Sequence, residues 1–254
     1  MGRPVFELED AGVRFGDTEA LAGVSVSVES GERVAVIGPS GAGKSSLIRL
    51  LNGTLVPDSG RVRVLGEDLA GASARKLRGV QRRLGTIHQQ FDLVDQLRVV
   101  HNVNAGRLAE WPLWRAAASL ASPRETATAR QALARVGIAD KLYERTATLS
   151  GGEQQRVAIA RVLVQRPAAI LADEPIASLD PARGLEIVRL LCEVSRELGT
   201  TLLASLHDVE VALASFHRIV GLREGGVVFD CAPARVSPDA IEALYSIERE
   251  GGLA

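Results

Sequence analysis

Three glycines, at positions 38, 41 and 43, separate the apolar run Arg33-Val34-Ala35-Val36-Ile37 from the stretch Ser45-Ser46-Leu47-Ile48-Arg49-Leu50-Leu51. The junction reads Gly38-Pro39-Ser40-Gly41-Ala42-Gly43-Lys44-Ser45-Ser46. A buried strand, a glycine-rich turn ending in Lys-Ser, and a helix leave the chain few alternatives. The turn's N–H groups point inward around phosphate oxygens, Lys44 reaches the β- and γ-phosphates, and the Ser45 hydroxyl is placed for Mg²⁺. The spacing predicts a nucleoside triphosphate site.

A second apolar strand, Ala168 to Asp173, ends in adjacent carboxylates, Asp173 and Glu174. Such a pair at a buried strand end repels itself unless a cation and a polarised water occupy it. Asp173 is therefore expected on the metal side, and Glu174 as general base for the attacking water. Gln89 follows the strand Leu84-Gly85-Thr86-Ile87-His88, within reach of metal or water, and His207 ends another strand, within reach of a γ-phosphate. Phe15, before a glycine turn, is a candidate to stack on a base. Each of these last three, taken singly, reads more readily as an ordinary surface or core residue. Far downstream, Leu149-Ser150-Gly151-Gly152-Glu153-Gln154 precedes a long helical stretch. Small residues there expose N–H groups at the positive end of a helix dipole, a second phosphate cradle.

The remaining pattern organises these pieces. From Val5 to Val36, period-two runs broken by Gly, Asp and Ser predict mostly antiparallel strands. Helices are expected from Lys44 to Gly53, Ala74 to Arg83, Pro181 to Leu198 after an Asp180 cap, from Asp208, and after Ser237-Pro238. From His101 to about Thr148, Ala, Arg and Leu dominate, and Ser122-Pro123-Arg124-Glu125 reads as a capping box opening a helix. The expected architecture is an α/β core with a mostly parallel sheet, an N-terminal antiparallel β subdomain and an inserted α-helical subdomain. All of 1–254 is read as one domain, with 1–100 and 149–254 as core and 101–148 as the helical part.

With 254 residues and 46% hydrophobic content the chain can bury a substantial core. A formal net charge of −1 gives no global attraction to nucleic acid or anionic lipid. No apolar run approaches the roughly 20 residues needed to span a bilayer. The N-terminus lacks the apolar centre of a secretory signal, and Gly2 lacks the following pattern for myristoylation. Cys192 and Cys231, far apart in apolar surroundings, are expected to be buried free thiols in a reducing compartment.

Taken together and in this order, the motifs resemble the nucleotide-binding subunits of ATP-binding-cassette (ABC) transporters, over about Phe6 to Asp230. The loop at 38–45 looks like the Walker A motif, Ala168–Pro175 the Walker B, and Leu149–Gln154 the family signature. Gln89 matches the Q-loop, Ser178-Leu179-Asp180 the D-loop, His207 the switch histidine and Phe15 the aromatic A-loop. The resemblance implies Mg²⁺-ATP, with Ser45, Gln89 and Asp173 on the metal side, and a homodimer closing on nucleotide. Ser150, Gly151, Gly152, Glu153 and Asp180 would then face the nucleotide of the other protomer. It also implies membrane permease subunits, an extracytoplasmic binding protein acting indirectly, and a peripheral position at the cytoplasmic face of the membrane.

Residues 104–120, 137–181 and 217–230 look most like the ATPase of phosphonate importers. Two positions depart from that branch: Asp208, where Gln is expected, and His88, where an aromatic is expected. Phosphite and phosphate remain open as cargo, as do another importer branch, an exporter motor, and a cassette ATPase acting on DNA or ribosomes. Trp111, Leu113 and Trp114 read either as core of the helical part or as an exposed anchor for the permease.

Overall fold

The computed structural model describes residues 4–121, 123–177 and 179–246. Two long strands, β1 (Pro4–Phe15) and β2 (Thr18–Glu29), form an antiparallel hairpin, followed by β3 (Arg33–Ile37) and helix α1 (Lys44–Leu51). β4 (Ser59–Val64), β5 (Glu67–Asp68), α2 (Ala74–Gln81) and β6 (Leu84–Ile87) come next. The helical segment holds α3 (Val99–Asn104), α4 (Leu113–Ala121) and α5 (Thr126–Arg135), with short 3₁₀ turns after α3 and after α5. The chain then alternates through α6 (Gly151–Gln165), β7 (Ala169–Asp173), α7 (Pro181–Leu198), β8 (Thr201–Leu206) and α8 (Val209–Ser215). β9 (Arg218–Arg223), β10 (Gly226–Cys231) and α9 (Pro238–Tyr245) close it.

One sheet has the order β2-β1-β4-β5 and is antiparallel; the other runs β10-β9-β3-β8-β7-β6, with only the β10–β9 pair antiparallel. The alternation of side chains along a strand explains why the parallel strands read as unbroken apolar runs. On β3, Ala35 and Ile37 enter one core while Val34 and Val36 enter the other. On β7, Ile170 and Ala172 divide from Ala169 and Leu171 in the same way. The first core packs the sheet against α3, α5, α6, α7 and α8; the second packs it against α1 and the antiparallel sheet. Both faces are therefore covered, and the carboxyl ends of β3, β7 and β8 are left as the place where polar side chains gather.

Three expectations change. The helix expected to open at Ser122-Pro123 begins instead at Thr126, with Glu125 as its N-cap in the left-handed region at φ 53°. Its carboxylate accepts from Arg107 (2.8 Å) and Arg115 (2.6 Å), so tertiary ion pairs hold the group that local capping would have used. Ser122 lies outside the described residues. The cysteines are unpaired but half-buried rather than buried. Burial pushes the Cys192 thiol up to about 11. The two tryptophans separate: Trp111 is buried, with Arg115 stacked 4.9 Å from its ring centre, whereas Trp114 is 69% exposed.

Candidate nucleotide site and signature turn

The loop from Gly38 to Gly43 owes its shape to close backbone approach. A Cβ at Gly38 would lie 2.0 Å from the Leu222 carbonyl oxygen of β9, and one at Gly43 would lie 2.3 Å from the Ala20 carbonyl oxygen of β2. Gly43 also takes φ 101°, a conformation that side chains resist. The loop is pinned inside by Ala42, whose N–H donates to Pro39 and whose carbonyl accepts from Gly225. Gly41 and Ser40 stay exposed at its rim, and Ser45 and Ser46 open the first turn of α1.

Lys44 is buried, yet its ammonium donates to the Gly38 (2.9 Å) and Pro39 (3.0 Å) carbonyls and stands 3.9 Å from Glu174 Oε1. Burial lowers its pKa, while Glu174 and Asp173 pull in the other direction. A cation held near carbonyl oxygens on the inner side of a glycine loop is poised to exchange them for phosphate oxygens.

Asp173 is the last residue of β7. Its Oδ1 accepts from Ser45 Oγ at 3.0 Å and from Ser205 Oγ at 2.8 Å. Continued alternation along β7 would put the Glu174 side chain on the other face of the strand from Asp173. Instead the strand stops, Glu174 turns at φ 47°, and its N–H donates to Ser205 Oγ at 2.9 Å. That turn brings its carboxylate back over the glycine loop, where Oε1 lies 2.5 Å from His207 Nε2. His207 Nδ1 is in turn 3.5 Å from Lys44 Nζ. Gln89, two residues past β6, lines the same cavity of about 420 Å³ as Glu174, His207 and Asp180.

Oxygen donors from Ser45 and Asp173 meet at the loop's end, which suits a hard cation such as Mg²⁺. Among the described residues no group of three or more His, Cys, Asp or Glu converges on a metal position. A two-donor pair would hold such an ion only with substrate phosphates and water completing its shell. Phe15 is 47% exposed at the end of the β1–β2 hairpin, whose β2 strand abuts the loop at Ala20.

The signature turn is built differently. Ser150 is the N-cap of α6 and forms a capping box: Glu153 N–H donates to its Oγ, and Glu153 Oε2 accepts from its N–H at 2.8 Å. The Ser150 N–H and the Ser150 hydroxyl both donate to Glu153 Oε2 at 2.8 Å and hold that carboxyl below its usual range. Gly151 and Gly152 lie in the first turn of the helix rather than ahead of it. A Cβ at Gly151 would meet nothing within 4 Å, and one at Gly152 only Leu179 Cδ2 at 3.9 Å. Ser150, Gly152 and Glu153 line a separate cavity of about 270 Å³ with Arg156 and Arg183. Asp180 caps α7 by accepting from the Arg183 N–H at 3.1 Å. Ser178, between the two cavities in sequence, is outside the described residues.

Two side chains not singled out in the sequence hold these pieces together. Arg161 of α6 donates to the Phe91 (3.0 Å) and Asp92 (2.8 Å) carbonyls, tying the turn after Gln89 to the signature helix. Both carbonyl-bearing residues take left-handed φ. Ser205, inside the apolar run of β8, was legible only as a polar letter among Leu and Ala. The departures have local explanations. Asp208 caps α8 by accepting from the Val211 N–H at 2.9 Å, and His88 Nε2 lies 3.3 Å from Asp92 Oδ2 at the surface.

The chain is similar to known proteins in both sequence and fold. The chain is 48% identical to the phosphonates import ATP-binding protein PhnC of Pseudomonas fluorescens, covering 91% of this chain and 87% of that one. It is also 48% identical to a protein of the same name from Anaeromyxobacter dehalogenans, covering 97% of this chain but only 49% of the relative's length. A solved dimer of the cassette MJ0796, in a post-hydrolysis state with ADP and phosphate, superposes with a TM-score of 0.76. That structure is 29% identical and covers 90% of this chain and 98% of its own. The profile of the ABC transporter family matches residues 21–177, from the hairpin beside the glycine loop to just past Glu174, and the chain belongs to that family.

Proposed function

We propose that the protein is the ATP-hydrolysing motor subunit of an ABC importer, coupling ATP-driven closure of a dimer to uptake of phosphonate or a related phosphorus oxyanion. One observation carries the catalytic part. Glu174 turns out of β7 so that its carboxylate meets His207 at 2.5 Å directly above the glycine loop.

In this reading Gly38 to Ser46 wrap the phosphates and Phe15 stacks on the base. Lys44 gives up its Gly38 and Pro39 carbonyl partners for phosphate oxygens, which strengthens every charge-assisted bond it makes. Ser45 and Asp173 hold Mg²⁺ with help from Gln89; the ion supplies charge neutralisation at the transferred phosphoryl group. Glu174 takes the proton of the attacking water, and His207 fixes the carboxylate that receives it. Ser150, Gly151, Gly152 and Glu153, with Asp180, face the γ-phosphate of the other protomer, so the nucleotide joins two chains. Among the described residues no helix is long and apolar enough to cross a membrane. The subunit works from the cytoplasmic face on separate permease subunits, which receive cargo from an extracytoplasmic binding protein.

The cargo assignment rests on the PhnC relatives and is tested apart from the catalysis. ATP turnover by the complex with its permease and receptor is measured in vesicles with methylphosphonate, phosphite or phosphate. Stimulation by methylphosphonate at the lowest concentration supports the phosphonate assignment. Stimulation by phosphate alone overturns it without touching the ATPase reading.

A further inference from the structure

The geometry points to Ser205 as a positioning residue that sets both carboxylates of the site at once; this rests on the ATPase reading above. Ser205 is fully buried in β8, where its neighbours in the strand are Ala204 and Leu206. An unbonded hydroxyl in such a place is destabilising, because it loses water and gains no partner. This one is used twice. It donates to Asp173 Oδ1 at 2.8 Å and accepts the Glu174 N–H at 2.9 Å.

The register explains why one side chain reaches both groups. Ser205 is the parallel partner of Asp173, in the last pair of the β7–β8 ladder. Glu174 is the first residue beyond that ladder, so its N–H has no strand carbonyl waiting for it. The hydroxyl of Ser205 receives that N–H while the chain turns into the left-handed region at φ 47°. A non-glycine residue holds such a turn only where its surroundings enforce it. On the other side, Asp173 Oδ1 is held by two hydroxyls, Ser45 and Ser205. Ser45 is exposed and is itself a candidate metal donor, whereas Ser205 is sealed in the core. Ser205 therefore keeps the Asp173 carboxylate in one rotation when Ser45 changes partners.

The test compares Ser205→Ala, Ser205→Cys and Ser205→Thr with the parent chain. Displacing a catalytic group by about 1 Å costs up to about a hundredfold in rate. Ser205→Ala is expected to lower kcat about ten- to a hundredfold and to raise the Mg²⁺ concentration needed for half-maximal rate. ATP affinity measured in EDTA should stay within about twofold. Ser205→Cys conserves volume and reports the same loss even if the alanine variant folds poorly. Ser205→Thr, which keeps the hydroxyl, should recover most of the rate. A nucleotide-free crystal structure of the cysteine or alanine variant should show Glu174 away from positive φ and Asp173 rotated. In a Glu174→Gln background, Ser205→Ala should add little. Turnover of Ser205→Ala and Ser205→Cys within twofold of the parent overturns the inference, as does a crystal structure with Glu174 and Asp173 unmoved. A parent chain that hydrolyses no ATP overturns the ATPase reading instead, while the crystallographic comparison still decides the role of Ser205.

Discussion

The loop at 38–43 and the turn at 150–153 are both rich in glycine and both precede a helix, yet their glycines answer to different neighbours. At Gly38 and Gly43 the chain's own backbone leaves no room for a Cβ, the nearest carbonyl oxygens lying 2.0 and 2.3 Å from it. At Gly151 there is open space, and neither Gly151 nor Gly152 takes a positive φ. The first loop needs glycine to fold. The second does not need it to fold; in the reading proposed above, the bare backbone there leaves room for the nucleotide of the other protomer. The side chains differ in the same sense. Lys44, Ser45, Asp173, Glu174, Ser205 and His207 bond one another, whereas Ser150 bonds its own helix through Glu153.

The largest effect that can break this contrast lies within the first cluster. Glu174→Gln should cut turnover by about a hundredfold or more while ATP still binds, and should hold an ATP-bound dimer in sedimentation. Normal turnover removes Glu174 from the role of base. Gly38→Ala comes next. With backbone in the way, it should cost about 2–4 kcal/mol in urea unfolding and abolish nucleotide binding. Lys44→Ala should keep the fold and lose about ten- to a hundredfold in ATP affinity, read by isothermal titration.

Gly151→Ala sharpens the comparison because its effect on the monomer should be nil or favourable. Alanine exceeds glycine in helical preference by about 1 kcal/mol, so the unfolding midpoint should hold or rise slightly. ATP-driven dimerisation in the Glu174→Gln background should nevertheless be lost. If that dimer forms as before, the signature glycines have no intermolecular role. The smallest effect is the pH response of the capping box. The folded Glu153 carboxyl is held down by Ser150, so its contribution is complete above its unfolded pKa and fades as pH falls through the lower folded value. Glu153→Gln should remove that part of the acid sensitivity by lowering neutral stability a few tenths of a kcal/mol, with stability at low pH nearly unchanged.

Much of the fold was legible because strands here are buried on both faces and helices carry their own caps. Asp180, Asp208 and Ser237 each accept a backbone N–H of the helix that follows, as local chemistry predicts. Glu125 shows the limit. Its sequence context offered a capping box, but Arg107 and Arg115, brought in from α4 and the turn before it, claim the carboxylate. The tryptophans show the same limit, since three residues along one segment separate a buried ring from an exposed one.

The order and spacing of the motifs by themselves determined a nucleotide-binding α/β chain of the ABC kind, because phosphate cradles and strand-end carboxylates are local patterns. Only the tertiary structure decided which oxygens and nitrogens meet. Ser205 and Asp173 are far apart in sequence and become hydrogen-bonded through the register of two parallel strands, and Glu174 reaches His207 only because the chain turns where that ladder ends. Register and strand endings are set by the packing of whole layers, which no short stretch of sequence contains.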